Sequence, residues 1–154
     1  MAMICINTRI HAAREIVFDL SRSIDLHLES TAHTKEQAIA GRRTGLIELG
    51  ETVTWRARHL GCYHQLTTQI TEMDYPSKFE DRMIKGPFKY LQHIHIFREE
   101  AGGTLMTDLF YFAAPYGLLG KIVTFCCLKP YLQALLRQRN SLIKTKAETH
   151  TVNR

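Results

Sequence analysis

Apolar and polar residues alternate with two different periods along this chain. Ile4, Ile6, Thr8 and Ile10 recur at every second position and predict a strand over residues 3–10. Over residues 12–21 the side chains Ile16, Val17 and Leu20, with Phe18 beside them, fit one face of a short helix. Ser23 or Asp25 offers a cap for a second short helix that ends at Ser30. Residues 36–40 read as a short strand, and Gly41, Gly45 and Gly50 punctuate the loop that follows.

From Glu51 the period is firmly two. Val53, Trp55 and Ala57 alternate with Arg56 and Arg58; the arginines cannot be buried without partners, so the apolar set faces the core. Gly61 ends this strand. Leu66, Thr68 and Ile70 mark the next, which stops at Pro76. Phe79, Asp81 and Met83 share one face of another, closed by a turn at Gly86-Pro87. The following strand carries Leu91, His93, His95 and Phe97 on one face and Ile94 and Ile96 on the other. After Gly102-Gly103, residues 104–112 alternate Thr104, Met106, Asp108, Phe110 and Phe112 against their neighbours.

Beyond Pro115 and Gly117 the spacing becomes helical, through Leu118, Ile122, Phe125, Leu132, Leu135, Leu136 and Leu142. A helix is expected over residues 117–147. It should bend or break near 126–129, because Pro130 lacks a donor and crowds the carbonyl of Cys126. The order predicts an α+β domain: a strand, two short helices, about six antiparallel strands and one long helix. A meander of that length must bury one face, and the long helix is the element able to cover it. A curved sheet wrapped around one helix encloses a pocket. One domain over residues 1–147, with a flexible tail at 148–154, accounts for the chain.

The composition, 45% hydrophobic and 23% charged, is that of an ordinary globular domain and excludes collagen-like, coiled-coil and disordered classes. No run approaches the ~20 apolar residues of a bilayer span. The first residues lack a cationic start followed by a long apolar run, so a cytoplasmic location is expected. Cys5, Cys62, Cys126 and Cys127 form no C-x-x-C pair, which gives no support for a zinc site. Adjacent Cys126 and Cys127 could form a strained vicinal disulfide, but the expectation is two buried or half-buried thiols of a reducing compartment.

The net charge of +5 is unevenly placed. From Lys121 onward Lys121, Lys129, Arg137, Arg139, Lys144, Lys146 and Arg154 face a single acid, Glu148. A solvated helix face is the expectation for Arg137, Arg139, Lys144 and Lys146. No nucleic-acid motif accompanies them, so no nucleic-acid partner is expected, and at most a weak attraction to a membrane surface. No G-x-S-x-G, P-loop, dinucleotide fingerprint or H-E-x-x-H occurs, which argues against the usual hydrolases, NTPases and nicotinamide enzymes. No cofactor is expected.

Several segments, in order, resemble one superfamily: residues 50–59, 66–72 and 76–79, Gly86-Pro87-Phe88, His93-Ile94-His95-Ile96-Phe97, Thr104, Asp108, and 115–120. Together they are similar to the SRPBCC superfamily, START-like proteins of helix-grip fold, and within it to bacterial proteins of the cell-division-inhibitor-like or polyketide-cyclase-like subgroup. The resemblance runs from about Ile4 to Lys146; Pro130 departs from it. It implies a hydrophobic ligand cavity, without naming a ligand, since the superfamily includes carriers, sensors and cyclases.

The resemblance also favours the inward face for His93 and His95, because its members usually carry polar residues at those two positions. Ile94 and Ile96 argue the other way. With both strands facing inward, a register of His93 opposite Asp108, and Asp81 beside His93, would make an Asp–His–Asp row. Such a row can be a hydrogen-bonded polar ladder or a general acid–base device. As metal ligands His93, His95 and Asp108 are disfavoured, since side chains two apart on a strand stand ~6–7 Å apart, and no metal site is expected. His27 can close one cavity end or simply lie at the surface. Arg42 and Arg43 can meet an acidic head group or stay solvated.

The expected ligand-binding residues are Trp55, Ile70, Phe79, Asp81, Met83, His93, His95, Phe97, Met106, Asp108, Phe110 and Phe112. The leading expectation is a protein that binds a small hydrophobic or amphipathic molecule. The alternative is a cyclase or dehydratase using His93, His95 and Asp108 as acids and bases. Oligomeric state is not legible in the sequence.

Overall fold

Each stretch of period two finds a partner beside it. In the computed structural model, which describes residues 1–153, β1 (Ala2–Ile10) leads into α1 (Arg14–Ser21), α2 (Ile24–Ser30) and a 3-10 turn at Ala32–Thr34. A meander follows: β2 (Gln37–Gly41), β3 (Thr52–His59), β4 (Cys62–Asp74), β5 (Lys78–Lys85), β6 (Tyr90–Glu100) and β7 (Gly103–Ala113). The chain ends in α3 (Gly117–Val123), a π-helical turn at Thr124–Leu128 and α4 (Lys129–Val152). The seven strands form one antiparallel sheet in the order β1-β7-β6-β5-β4-β3-β2. Among the described residues only the β1–β7 pairing joins strands distant in sequence, and the two short helices carry the chain from β1 at one edge of the sheet to β2 at the other.

Local chemistry explains the joints. The Ser23 hydroxyl accepts from the Leu26 amide and caps α2, as expected of a serine at that position. The β6–β7 hairpin turns on Ala101-Gly102, and Gly102 has φ +82°, a conformation that favours glycine. That turn sets the register: His95 stands opposite Asp108, and His93 opposite Phe110. The expected pairing of His93 with Asp108 would move the turn to Glu100-Ala101, where no glycine could supply the positive φ. Asp81 does pair with His93.

The core gathers on the concave face. Phe18, Phe79 and Phe97 pack with Trp55, Met106, Ile143 and Ala147, while Ile4, Leu91, Phe110 and Phe112 pack with Leu136. α4 lies against β1, α1 and α2. Its buried face holds Leu136, Arg139, Asn140, Ile143 and Ala147. Arg139 was expected in solvent and is instead 6% exposed.

Pro130 sits in the first turn of α4, where a missing N–H costs little. The break expected near 126–129 takes the form of the π-turn at Thr124–Leu128, where the Thr124 hydroxyl donates to the Gly120 carbonyl at 2.6 Å. α4 continues to Val152, five residues past the expected end. There Glu148 accepts from the Lys144 ammonium at 2.9 Å and from the His11 amide at 3.0 Å.

At its other end the helix outruns the sheet. The 24 residues of α4 span about 36 Å, and the 11 residues of β7 about 37 Å. α3 therefore has no strand left to cover. Leu118, Ile122 and Phe125, expected on the buried stripe, are exposed. The four cysteines are exposed as well, Cys126 and Cys127 among them, because they belong to this uncovered segment or to outward positions of β1 and β4.

Candidate functional site

Between the sheet and α4 the two core clusters leave a cavity of about 370 Å³. That volume is in the range of small-molecule pockets. β3 and β4 supply Trp55, Ala57, Leu66 and Ile70; α4 supplies Leu132, Leu135 and Leu136; β7 supplies Phe110. The wall is mainly aliphatic and aromatic.

Of the residues expected to bind ligand, Trp55, Ile70, Phe79, Asp81, His93, His95 and Phe110 line the cavity. Phe97, Met106 and Phe112 are fully buried in the packing around it, and Met83 is half-buried beside the second cluster. Asp108 lies behind the histidines with no exposure of its own. Sequence reading missed Glu36, His59, His64, Tyr131 and Arg139, all in the wall.

The polar floor of the cavity is built on Asp108. Its Oδ1 accepts from His93 Nε2 at 2.8 Å, and its Oδ2 accepts from Asn140 Nδ2 at 2.6 Å. His95 Nδ1 lies 3.0 Å from the same Oδ1 but off the line of a hydrogen bond, so this nitrogen has no partner. Arg139 Nη1 stands 3.6 Å from Asp108 and donates to Asn140 Oδ1 at 3.1 Å, while its Nη2 donates to the Ser21 carbonyl at 2.8 Å. The imidazoles of His93 and His95 are tilted by 36° with centroids 3.7 Å apart, and His95 stacks on Phe79 at 4.1 Å. With His93 Nε2 engaged by Asp108, the ring nitrogen left to meet a ligand is Nδ1.

Burial and charge divide the titrations. Burial alone would raise the Asp108 carboxyl, but the His93 hydrogen bond and the facing His95 outweigh it and hold the group well below the carboxylate range. Burial, with the neighbouring His93, drives His95 well below the ordinary imidazole value. Burial likewise lowers Arg139, against the pull of Asp108 and Asp81. Asp81 goes the other way: burial raises it despite Thr68 and the nearby His93, His27 and Arg139, and its Oδ1 has no partner.

A second polar group flanks Trp55. His27 Nε2 lies 3.1 Å from Glu36 Oε2, and its ring rests 4.3 Å from the indole. His59 Nδ1 shares a hydrogen bond with the Tyr131 hydroxyl at 2.8 Å. Arg42 is bound by Glu51 at 2.7 Å, and neither it nor Arg43 is part of the wall.

Donor atoms of His93, His95 and Asp108 lie within 4.8 Å of one another, closer than strand spacing suggested, because the two imidazoles lean together. Both Asp108 oxygens are nonetheless engaged, and the Arg139 cation already balances the carboxylate. Within this set His93 and Asp108 are hydrogen-bonded to each other, while His95 Nδ1 is left without a partner.

No family model matches the sequence, and no curated protein matches it. Solved structures do. TTHA0849 from Thermus thermophilus is similar over 95% of this chain and 99% of its own, with a TM-score of 0.73 and 14% identity. A START superfamily protein from Mycobacterium smegmatis is similar over 96% and 97%, with a TM-score of 0.67 and 11% identity. The ginseng major latex-like protein 151 from Panax ginseng is similar over 95% and 97%, with a TM-score of 0.66 and 13% identity. At such identities the likeness is one of fold, and together with the seven-stranded curved sheet and its long helix it establishes the START-like helix-grip fold.

Proposed function

We propose that this chain binds a small hydrophobic or amphipathic molecule in the cavity between sheet and α4, as a cytoplasmic member of the SRPBCC superfamily. The observation that carries the reading is the cavity itself: about 370 Å³, walled by apolar side chains, with polar groups confined mainly to its floor and one flank. A ligand's apolar body would replace water along Leu132, Leu136 and Phe110, and a polar end would meet His93, Asp81 and Arg139. Asp108, His93, Asn140 and Arg139 already satisfy one another, which suits a rigid recognition surface. Nucleic acid is not part of this reading.

Native mass spectrometry of the protein purified from its own host tests it. A co-purifying mass of a few hundred daltons, lost on denaturation, is expected for a cavity of this size. Ligand-free protein that also takes up no fatty acid or polycyclic aromatic would contradict it.

One observation favours the cyclase or dehydratase alternative. Asp81 presents an unpartnered oxygen, is raised toward its neutral acid, and pairs across the sheet with His93. An acid and a base in register on one cavity wall can move a proton. Turnover abolished by Asp81→Asn in a protein that still binds ligand would establish that alternative.

A further inference from the structure

The uncovered helix and the cavity mouth share one end of the molecule. By the antiparallel order, the β3–β4 hairpin, the β5–β6 connection and the end of β7 lie together, and α3 projects from them. Leu60, Phe88, Pro115 and Leu128 line the cavity from this end. Here Leu118 and Leu119 are 77% and 73% exposed, and Ile122 and Phe125 are 58% and 60% exposed. Contiguous apolar surface of this kind marks an interaction site.

Charge says which kind. The segments that reach this end fall within residues 52–71, 82–98 and 109–147, which contain no aspartate or glutamate. Arg58, Lys85, Lys89 and Lys121 are exposed there, and Lys129 lies 5.8 Å over the Phe125 ring. Glu36, at the start of β2, approaches this end, but its carboxylate is 9% exposed and paired with His27. Apolar side chains ringed by cations without anions complement an anionic lipid surface.

We infer that α3 and the π-turn after it dock this protein on an anionic bilayer, with the cavity mouth turned toward the membrane. Leu118, Leu119, Ile122 and Phe125 enter the headgroup–acyl boundary, and Lys121 extends to the phosphates. Against the expectation that no run approaches a bilayer span, 18 consecutive residues of this helix carry at most two charged side chains and are apolar enough for one by composition, with 11% of them buried. It does not cross. Leu128, Leu132 and Leu136 line the cavity, which leaves a free segment of about 16 Å against a hydrocarbon core of ~30 Å. A second copy is a poor occupant, since face-to-face pairing would oppose two cationic ends. The weak attraction expected from residues 137–146 has a different basis: Arg139 is buried, and Lys144 and Lys146 pair with Glu148 and Glu29. Docking goes beyond the cavity reading and does not depend on it.

Flotation with phosphatidylcholine vesicles, with and without about one-third phosphatidylglycerol, tests the docking. The protein should float with the anionic vesicles at about 0.15 M salt and much less with the neutral ones. Leu119→Ser/Phe125→Ser should lower partitioning at least about tenfold. Lys121→Glu should lower it on anionic vesicles, and Leu49→Ser, remote and also exposed, should leave it unchanged. Circular dichroism and dye uptake by each variant report fold and cavity separately, so loss of docking is distinguishable from loss of ligand binding. No flotation of the wild type, equal flotation of the double variant, or a dimer abolished by that variant would overturn the proposal.

Discussion

Asp108 on β7 and Arg139 on α4 stand 3.6 Å apart with both side chains withdrawn from water, so the sheet and its helix are joined by a buried charge pair. Each removes a liability of the other. Asn140 donates to Asp108 and accepts from Arg139, and the Ser21 carbonyl accepts a further bond from Arg139. A pair of this kind contributes little when compared with apolar replacements, but removing one member leaves a bare buried charge.

That relationship predicts the outcome of a double-mutant cycle. Asp108→Asn and Arg139→Met should each destabilise by about 3 kcal/mol, measured by urea unfolding, and the double variant should cost less than their sum. Additive losses would mean that the two residues act independently.

Acid should weaken the fold through the same cluster. His95 and Asp108 are both held below their unfolded-state values. The stability each contributes is present above that unfolded value and lost as pH falls toward the folded one. For His95 the decline begins below about pH 6.5, at up to about 1.4 kcal/mol per pH unit. His95→Phe should flatten unfolding free energy between about pH 6.5 and 5. An unchanged slope in that variant would assign the proton uptake elsewhere.

Asp81 carries the opposite sign. Its folded value is raised, so its contribution is present in acid and lost as pH rises through that value. Asp81→Asn keeps the shape and removes the titration. It should be neutral or stabilising at pH 7, and destabilising relative to wild type below about pH 4. Marked destabilisation at pH 7 would show that the ionised carboxylate supports the fold.

The sequence made the sheet legible because alternation survives burial: every strand face expected inward, from Val53 to Phe112, points inward or half-inward. The cavity floor was legible as residue types, and its register was misread by one pair because the turn glycine was not used to set it. Arg139 was hidden among Arg137, Lys144 and Lys146, which together read as a solvated face. The signal was there: residues 132, 136, 139 and 143 follow one helical stripe, and an arginine stands on the third of them. Leu118, Ile122 and Phe125 continue that stripe, so no periodicity could reveal that the sheet ends before they begin. The pairing of His59 with Tyr131 depends on long-range closure that spacing does not encode, and that of His27 with Glu36 on the path of the chain between α2 and β2.

The central claim is an occupied cavity, and Trp55, the only tryptophan, reports on it directly. Its indole is 7% exposed, lies in the wall and touches His27. Titration with fatty acids, lipids and polyketide-like aromatics, read by Trp55 emission, should give a saturable change with one ligand per chain. No change across the whole set, in protein shown to be folded, would contradict the account.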